Sequence, residues 1–422
     1  MDAEKEKKYT EIIKAELRTA MGCTEPIAIA YCASLAARAL NLMPERIRIR
    51  CSGNVIKNAK AVTVPQTGGL IGIEAAAVAG IVGGDPDREL EVLADMKPEA
   101  LQTIREILSS KAVEVECMDE GHSLQVIVDL YAGSSHAQAC LADTHTGIYH
   151  IECDGSVLLD KPFCEAARCE LDYDSLNIRD ILAYADAVDL RQVEGVLDKE
   201  IACNRAISQE GLKNDWGQSV GRTMMRASGS FERTRLIAWA AAGSDARMNG
   251  CAMPVVINSG SGNQGMAASC PLLAYSQEHD VSKEKLMRAL LVSNLIAIRQ
   301  KRDIGRLSAF CGAVSAAVGA ACGIAYLEGA DYEKICRIIT NSIATVGGMV
   351  CDGAKSSCAA KIAVALQSAF LAADMADRDF VFRCGEGLVK RNVEQTITTI
   401  GRMASEGMRA TDRKVLDLML EK

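Results

Sequence analysis

The chain has 422 residues, which is more than a single hydrophobic core usually serves, so we expect two domains. Its net charge of −8 and isoelectric point near 5.4 argue against nucleic acid and acidic membranes as partners, and favour a small molecule. The opening segment, "MDAEKEKKYTEIIKAELRTA", has the pattern of a charged amphipathic helix and not of an export signal. We therefore expect a cytoplasmic protein whose 17 cysteines are mostly reduced.

The hydrophobic pattern divides the chain into a helical and a mixed part. The first forty residues are predicted to be helical, with a break at 24–26. Period-two patterns then predict strands in "RIRIRCSGNV", "KAVTVP", "AVEVECM", "LQVIVDL" and "AQACLAD", with helices at about 70–83 and 87–110. Nearly everything after residue 175 is helical. The sequence thus predicts an α+β fold in which a mainly helical catalytic body, residues 1–48 and 175–422, carries an inserted smaller α+β domain, residues 49–174.

The uncharged stretch 307–327 is long enough to cross a membrane, but it consists mostly of Ala, Gly, Ser and Cys. That composition has too few strong hydrophobes for comfortable insertion and favours a tightly packed internal helix. No membrane association is therefore expected. Because small side chains leave room for close association of helices, we expect a homodimer.

The segment "SGSGNQG", residues 259–265, resembles a loop that binds an anion. A P-loop is excluded because no Lys-Ser or Lys-Thr pair follows the last glycine. Gly260, Gly262 and Gly265 match the dinucleotide fingerprint after a predicted strand at 251–258, but the Cys270–Pro271 step is expected to end the next helix early. Dinucleotide binding stays open as an alternative, and an anion-binding loop of another kind is favoured.

Four cysteine neighbourhoods differ from the others. "MGCTEP" places Cys23 at the predicted helix break, and "AFCGAVSAA" places Cys311 in the small-residue helix. "GGMVCDGAKSSCAAK" carries Cys351 and Cys358 around a glycine-rich turn that could enclose a bulky inorganic group. The chain has no CxxC pair, so a metal site must be assembled from distant positions. Spacing alone leaves inert packing open as the alternative.

Five separated motifs together resemble the L-cysteine desulfidase family, which is related to the alpha-type catalytic domain of bacterial iron–sulfur L-serine dehydratases. They occur in the family's order over nearly the whole chain: "GCTEPIAIA", "SGNVIKNAKAVTVP", "GSGNQG", "CGAVSAAVGAACGI" and "GMVCDGAKSSCAAK". The resemblance implies a [4Fe–4S] cluster held by Cys311, Cys351 and Cys358. Three ligands leave one iron free to act as a Lewis acid on the substrate.

The resemblance also implies roles for the remaining motifs. Cys23 becomes the base, with a pKa lowered by its place near a helix N-terminus. The glycine-rich loop is expected to bind the carboxylate of a small amino acid, with help from a second loop. The substrate-binding candidates are Ser261, Gly262, Asn263 and Gln264 in the first loop and Asn54, Lys57 and Asn58 in the second. The five histidines are interpreted as surface or core residues.

The implied reaction is the elimination of sulfide from L-cysteine, which gives pyruvate, ammonia and hydrogen sulfide. L-Serine is the alternative substrate, because the two amino acids differ only in the leaving atom. A second alternative is a non-catalytic cluster or zinc protein that senses iron or oxygen, which would have a closed site with four ligands. An inactive scaffold with unmetallated cysteines would leave the five motifs unexplained.

Overall fold

A computed structural model describes residues 2–118, 122–161, 171–305 and 307–421. The helices are α1 Ala3–Glu16, α2 Thr24–Leu40, α3 Gly53–Ala59, α4 Ile73–Gly83, α5 Ala100–Ser109, α6 Ile178–Ala187, α7 Glu194–Lys213, α8 Val220–Ser228, α9 Glu232–Met248, α10 Gly262–Glu278, α11 Lys283–Ile304, α12 Gly312–Leu327, α13 Tyr332–Thr345, α14 Cys358–Ala376, α15 Val393–Arg402 and α16 Arg409–Leu420. The strands are β1 Thr19–Met21, β2 Arg46–Ser52, β3 Val113–Met118, β4 Gln125–Ala132, β5 Ser135–Ala142, β6 Ile148–Cys153, β7 Ser156–Asp160 and β8 Pro254–Val256.

The larger sheet has six strands in the order β3-β2-β4-β5-β6-β7. Only the β2–β3 pair is parallel among these described strands. In β2 the side chains of Ile47, Ile49 and Cys51 are buried, while the intervening arginines pair with acidic residues of neighbouring strands. Helix α2 covers the sheet by packing against β4, β5 and β6. The period-two pattern of this segment therefore corresponds to a sheet that packs one of its faces against the core.

The helical body confirms the predicted fold class, an α+β protein that is mainly helical. Its central helix is α12, which packs against α10, α11 and α14 and has most of its side chains buried. Gly319 and Gly323 face the backbone of α11, where a larger side chain would overlap it. The internal helix predicted from the uncharged stretch is thus present. Among the described residues only α14 is long and apolar enough to cross a membrane by length and composition, and it packs against α9, α12 and α13.

Several local predictions were wrong for identifiable reasons. The segment "KAVTVP" is not a strand: Val62 and Val64 are buried, but the pairing of this segment is limited to an isolated bridge between Thr63 and Ile71. The helix expected over 87–110 is instead a 3₁₀ turn, Pro86–Glu91, followed after Pro98 by α5. Helix α10 continues through Pro271, because burial of most of the helix outweighs the loss of one backbone hydrogen bond.

The dinucleotide alternative lacks its structural context. The strand predicted over 251–258 is the short β8, which pairs antiparallel with β1 in a two-stranded sheet. A dinucleotide fingerprint requires a buried parallel strand before its glycines, and the described part of 251–280 contains none. The division into two domains stays a prediction, since α2 of the predicted helical body packs on the sheet of the other part.

A buried carboxyl group in the helical body gives a test of the fold by pH. Glu200 of α7 is fully buried, and the amide of Asn294 donates to both of its oxygens at 3.0 Å. Burial raises the pKa of Glu200 to about 8, against an opposing effect of Asn294. Because the unfolded chain ionises near pH 4.5 while the folded chain keeps the proton, this group reduces stability progressively as the pH rises from 4.5 to 8.

We therefore expect Glu200→Gln to change the pH dependence of stability. The free energy of unfolding of the variant, relative to the natural protein, should increase by several kcal/mol, up to roughly 5, between pH 4.5 and pH 8. Denaturant titrations at a series of pH values measure this difference. Glu210→Gln on the same helix is the control, because Glu210 is partly exposed, and equal pH profiles for Glu200→Gln and the natural protein would contradict the assignment.

Candidate active site

Two cysteines that are distant in the sequence are held side by side by backbone pairing. The residues that precede them form an isolated antiparallel bridge. The N–H of Cys311 donates to the carbonyl of Met349 at 2.8 Å, and the N–H of Cys351 donates to that of Ala309 at 2.7 Å. The Cys311 and Cys351 thiols lie close enough to shift each other's pKa. The loops before α12 and α14 thus bring these two sulfurs together.

The third cysteine joins the pair through a glycine turn. Cys358 is the first residue of α14, and its thiol lies 3.8 Å from the carbonyl of Gly353. Gly353 has a φ of +90°, and a Cβ at this position would overlap the backbone of Lys57. Only glycine therefore lets the loop between Cys351 and Cys358 turn against α3. Cys311, Cys351 and Cys358 all line one pocket.

The acidity of the paired thiols depends on their neighbours. The hydrogen bond from Cys311 lowers the pKa of Cys351 below its ordinary value against the effect of burial, and the ammonium groups of Lys57 and Lys301 lower it further. The same contact, together with burial, raises the pKa of Cys311. Burial also raises the pKa of Cys358. The pair therefore favours one thiolate, which is the form of cysteine that binds metals.

The chemistry of this donor set fits an iron–sulfur cluster. Three thiols with lysine ammonium groups nearby suit an anionic thiolate-bound cluster. Within the described ranges, no three His, Cys, Asp or Glu residues are arranged around a single metal ion.

Cys23 lies in the same pocket but in different surroundings. It is the residue before α2, it is 2% exposed, and its thiol donates to the carboxylate of Glu25 at 3.2 Å. Burial raises the pKa of Cys23 well above its ordinary value, and the charge of Glu25 raises it further, while Arg247 opposes them. The expectation of a lowered pKa was therefore wrong, because the effect of burial exceeds that of the helix N-terminus.

Glu25 is the centre of a buried polar group that the sequence did not single out. Its carboxylate accepts from Asn58 at 3.1 Å and from Thr24 at 3.2 Å, and the imidazole of His145 lies 3.7 Å away. Although burial raises its pKa, the contacts with His145 and Cys23 lower the pKa of Glu25 to about 2. Glu25 is therefore ionised, and it holds the Cys23 thiol in place.

His145 is buried, which agrees with the interpretation of the histidines as surface or core residues, and it lies beside Glu25. It lies in the turn between β5 and β6 and is 5% exposed. Its Nε2 has no hydrogen-bond partner among the described residues, although Glu25 is within ion-pair distance. The only signal in the sequence would have been its "THTG" turn, which is also typical of an ordinary surface loop.

Residues of the glycine-rich loop also line the pocket. Ser259 and Gly260 have positive φ values of 49° and 79°, which turn the chain sharply from β8 into α10. The side chains of Ser261, Asn263 and Gln264 line the pocket, and Ser261 precedes α10 without capping it. Gly262 starts the helix beside them. The first turn of α10 therefore offers donors to an anion.

The second predicted loop contributes one residue of three to the pocket. Residues 53–59 form helix α3, and Asn58 lines the pocket while donating to Glu25. The ammonium of Lys57 instead forms a buried ion pair with Asp412 of α16. Asn54 is partly buried and lies outside the pocket lining. Lys57 therefore acts on the site through its charge near Cys351, and not by facing a ligand.

Arg247 is a further residue that the motifs did not identify. It lies in the last turn of α9, it is 1% exposed, and it is the largest fully buried side chain among the described residues. It lines the pocket together with Gln264 and the four cysteines. The pocket thus combines cysteines, an ionised carboxylate and a guanidinium.

The model of the serine dehydratase alpha chain matches residues 87–417. The chain belongs to this family. It is also 46% identical to a UPF0597 protein of Lachnoclostridium phytofermentans, over 98% of this chain and 99% of that one. A UPF0597 protein of Desulfitobacterium hafniense is 44% identical over 98% and 96%, and one of Bacteroides thetaiotaomicron is 36% identical over 99% and 98%.

Membership of the serine dehydratase alpha chain family places the protein among serine-dehydratase-like lyases. The segment that matches the family includes the glycine-rich loop, Arg247 and the three clustered cysteines. Cys23, Glu25 and Asn58 precede it in the chain. Folding brings this preceding segment into the same pocket, so the family's core and the N-terminal segment form one site.

Proposed function

We propose that the protein is an iron–sulfur lyase that eliminates sulfide from L-cysteine and gives pyruvate, ammonia and hydrogen sulfide. The observation that carries this proposal is the presence of Cys311, Cys351 and Cys358 in one pocket with a fourth, separately held thiol, Cys23. A lyase of this kind requires two groups: one that removes the α-proton and one that stabilises a poor leaving group. The two cysteine environments correspond to these two requirements.

In the proposed reaction, Cys311, Cys351 and Cys358 hold a [4Fe–4S] cluster. When bound, the cluster supplies a Lewis-acidic iron with an open position for the leaving group. Cys23 removes the α-proton, the electron pair forms the new C=C bond, and the C–S bond breaks to release HS⁻. The aminoacrylate that results is hydrolysed by water to pyruvate and ammonia, so no net oxidation or reduction is required.

Glu25 completes the role of Cys23. The resting thiol donates to the Glu25 carboxylate, so Glu25 positions the sulfur, which acts as the base once its own proton has been released. Asn58 and Thr24 hold the carboxylate by further hydrogen bonds, and His145 lies beside it. Because this polar group is buried, it excludes bulk water from the proton-transfer step.

L-Serine is the second candidate substrate, and the match to the serine dehydratase alpha chain supports it. The same groups would remove the α-proton of L-serine, and HO⁻ would leave in place of HS⁻. The ammonium and carboxylate contacts would be unchanged, so the two substrates compete for one site.

Assays of anaerobically purified protein test the proposal. We expect pyruvate and sulfide in equal amounts from L-cysteine, and a higher kcat/KM for L-cysteine than for L-serine, from which pyruvate forms without sulfide. Cluster-free protein is the control and should be inactive with both. A higher kcat/KM for L-serine than for L-cysteine would instead favour L-serine dehydratase activity. If cluster-loaded protein turned over neither amino acid, the lyase would be excluded and a sensor favoured.

A further inference from the structure

The pocket wall contributed by α9 contains a buried guanidinium whose donors are only partly used. Arg247 is 1% exposed. Its Nε and Nη2 atoms have no hydrogen-bond partner among the residues that the structure describes. Buried charged groups are normally paired and hydrogen-bonded, because removing them from water is strongly unfavourable. Two unsatisfied donors on one planar guanidinium therefore point to an anionic ligand.

The surroundings of Arg247 are shaped to receive such a ligand. A Cβ at Gly262 would overlap the guanidinium, so the glycine at the start of α10 makes room for it. The first turn of α10 adds free N–H groups, since the side chain of Ser261 does not cap them. A planar guanidinium beside a helix N-terminus matches the geometry of a carboxylate, which it can bind with two parallel hydrogen bonds.

The pocket also contains a buried hydrogen-bond acceptor without a partner among the described residues, whereas the unpartnered atoms of Arg247 are donors. Gln264 is 5% exposed, and its Oε1 has no donor among the described residues. Its amide lies against Gly312, where a Cβ would stand 2.5 Å from the amide carbon. Gly312 directly follows Cys311, so this acceptor lies beside the cysteine group. An oxygen acceptor in a buried pocket suits an ammonium group.

We infer that the pocket binds the zwitterion of an α-amino acid, with Arg247 on its carboxylate and Gln264 Oε1 on its ammonium. The inference rests on the proposed function only in placing this ligand as the substrate. The two side chains lie in one pocket with Cys23 and the cysteine group, so the ends of the amino acid would be held while its α-proton and β-substituent stay available to them. This assignment makes Arg247 the main determinant of the substrate class.

Binding of an unreactive amino acid to anaerobically purified protein tests the inference. L-Alanine has the ammonium and carboxylate but no leaving group, and L-alaninamide lacks the carboxylate. We expect calorimetry to detect L-alanine and not L-alaninamide. Arg247→Gln should weaken L-alanine binding by about 30-fold or more, the usual effect of removing one partner of a buried charge pair. Gln264→Leu should weaken L-alanine binding and leave propionate, which lacks the ammonium, unaffected.

The control is Arg205→Gln. Arg205 of α7 also has a buried Nε without a described partner, but it lies outside the pocket, so its variant should bind L-alanine normally. Arg247→Lys keeps the positive charge but loses the planar guanidinium that can donate two parallel hydrogen bonds. This variant should bind L-alanine with intermediate affinity. Equal binding of L-alanine and L-alaninamide by the natural protein, or unchanged L-alanine binding by Arg247→Gln, would overturn the inference.

The same measurements separate this inference from the proposed function. One possible result is that L-alanine binding depends on Arg247 although the protein turns over neither L-cysteine nor L-serine. That result would contradict the proposed lyase activity and support the amino-acid binding site. If Arg247→Gln turned over L-cysteine or L-serine with an unchanged KM, the lyase activity would be supported. Arg247 would then no longer be assigned as the group that binds the substrate carboxylate.

Discussion

Replacing any one of Cys311, Cys351 and Cys358 with serine is expected to abolish retention of the iron–sulfur cluster. The natural protein, purified without oxygen, should contain about four irons per chain, the content of one [4Fe–4S] cluster. The serine hydroxyl is far less acidic than a thiol, so it does not provide the anionic sulfur ligand that such clusters use.

Iron and sulfide analysis together with the visible absorption spectrum measures this effect. Cys203→Ser is the matched control: Cys203 is partly buried like the three proposed ligands, but it lies in α7 outside the pocket. The control should retain full iron content. If one of the three variants also kept its full iron content, that cysteine would no longer be assigned as a ligand.

Cys23→Ala is expected to keep the cluster while turnover falls by a factor of roughly 10² to 10⁴, the usual contribution of a positioned acid–base group. Substrate binding should remain, because the proposed carboxylate and ammonium contacts do not involve Cys23. Exchange of the substrate α-proton with solvent deuterium should fall together with turnover, since that exchange reports the step performed by the base. Rates, iron content and deuterium incorporation are measured on the same anaerobic preparation.

The control for this variant is Cys32→Ala. Cys32 is also buried in α2, but it packs toward the sheet, where its thiol lies 3.3 Å from the carbonyl of Ala139. It should leave turnover and proton exchange nearly unchanged. Loss of iron in step with activity in Cys23→Ala would show instead that Cys23 is a fourth ligand. The site would then be closed, and the sensor hypothesis would replace the lyase.

The sequence alone determined the fold class and the cysteines of interest. The period-two pattern of β2 and its neighbours records which side chains face the core, so it predicts strands without knowledge of their partners. The small residues of α12 likewise predict a helix packed closely on others. Cys23, Cys311, Cys351 and Cys358 were recognised from motifs whose residues are contiguous in the chain, and all four line the pocket.

Tertiary structure alone decided the partners of the charged groups. The motif around Lys57 predicted a substrate donor, but Asp412, from the far end of the chain, pairs with Lys57. Glu25 and His145 meet across two parts of the fold, and Arg247 has no motif of its own. Local patterns report burial along one segment, whereas the pKa and availability of a buried charge depend on residues that become its neighbours only after folding. Pairing partners therefore cannot be derived from spacing.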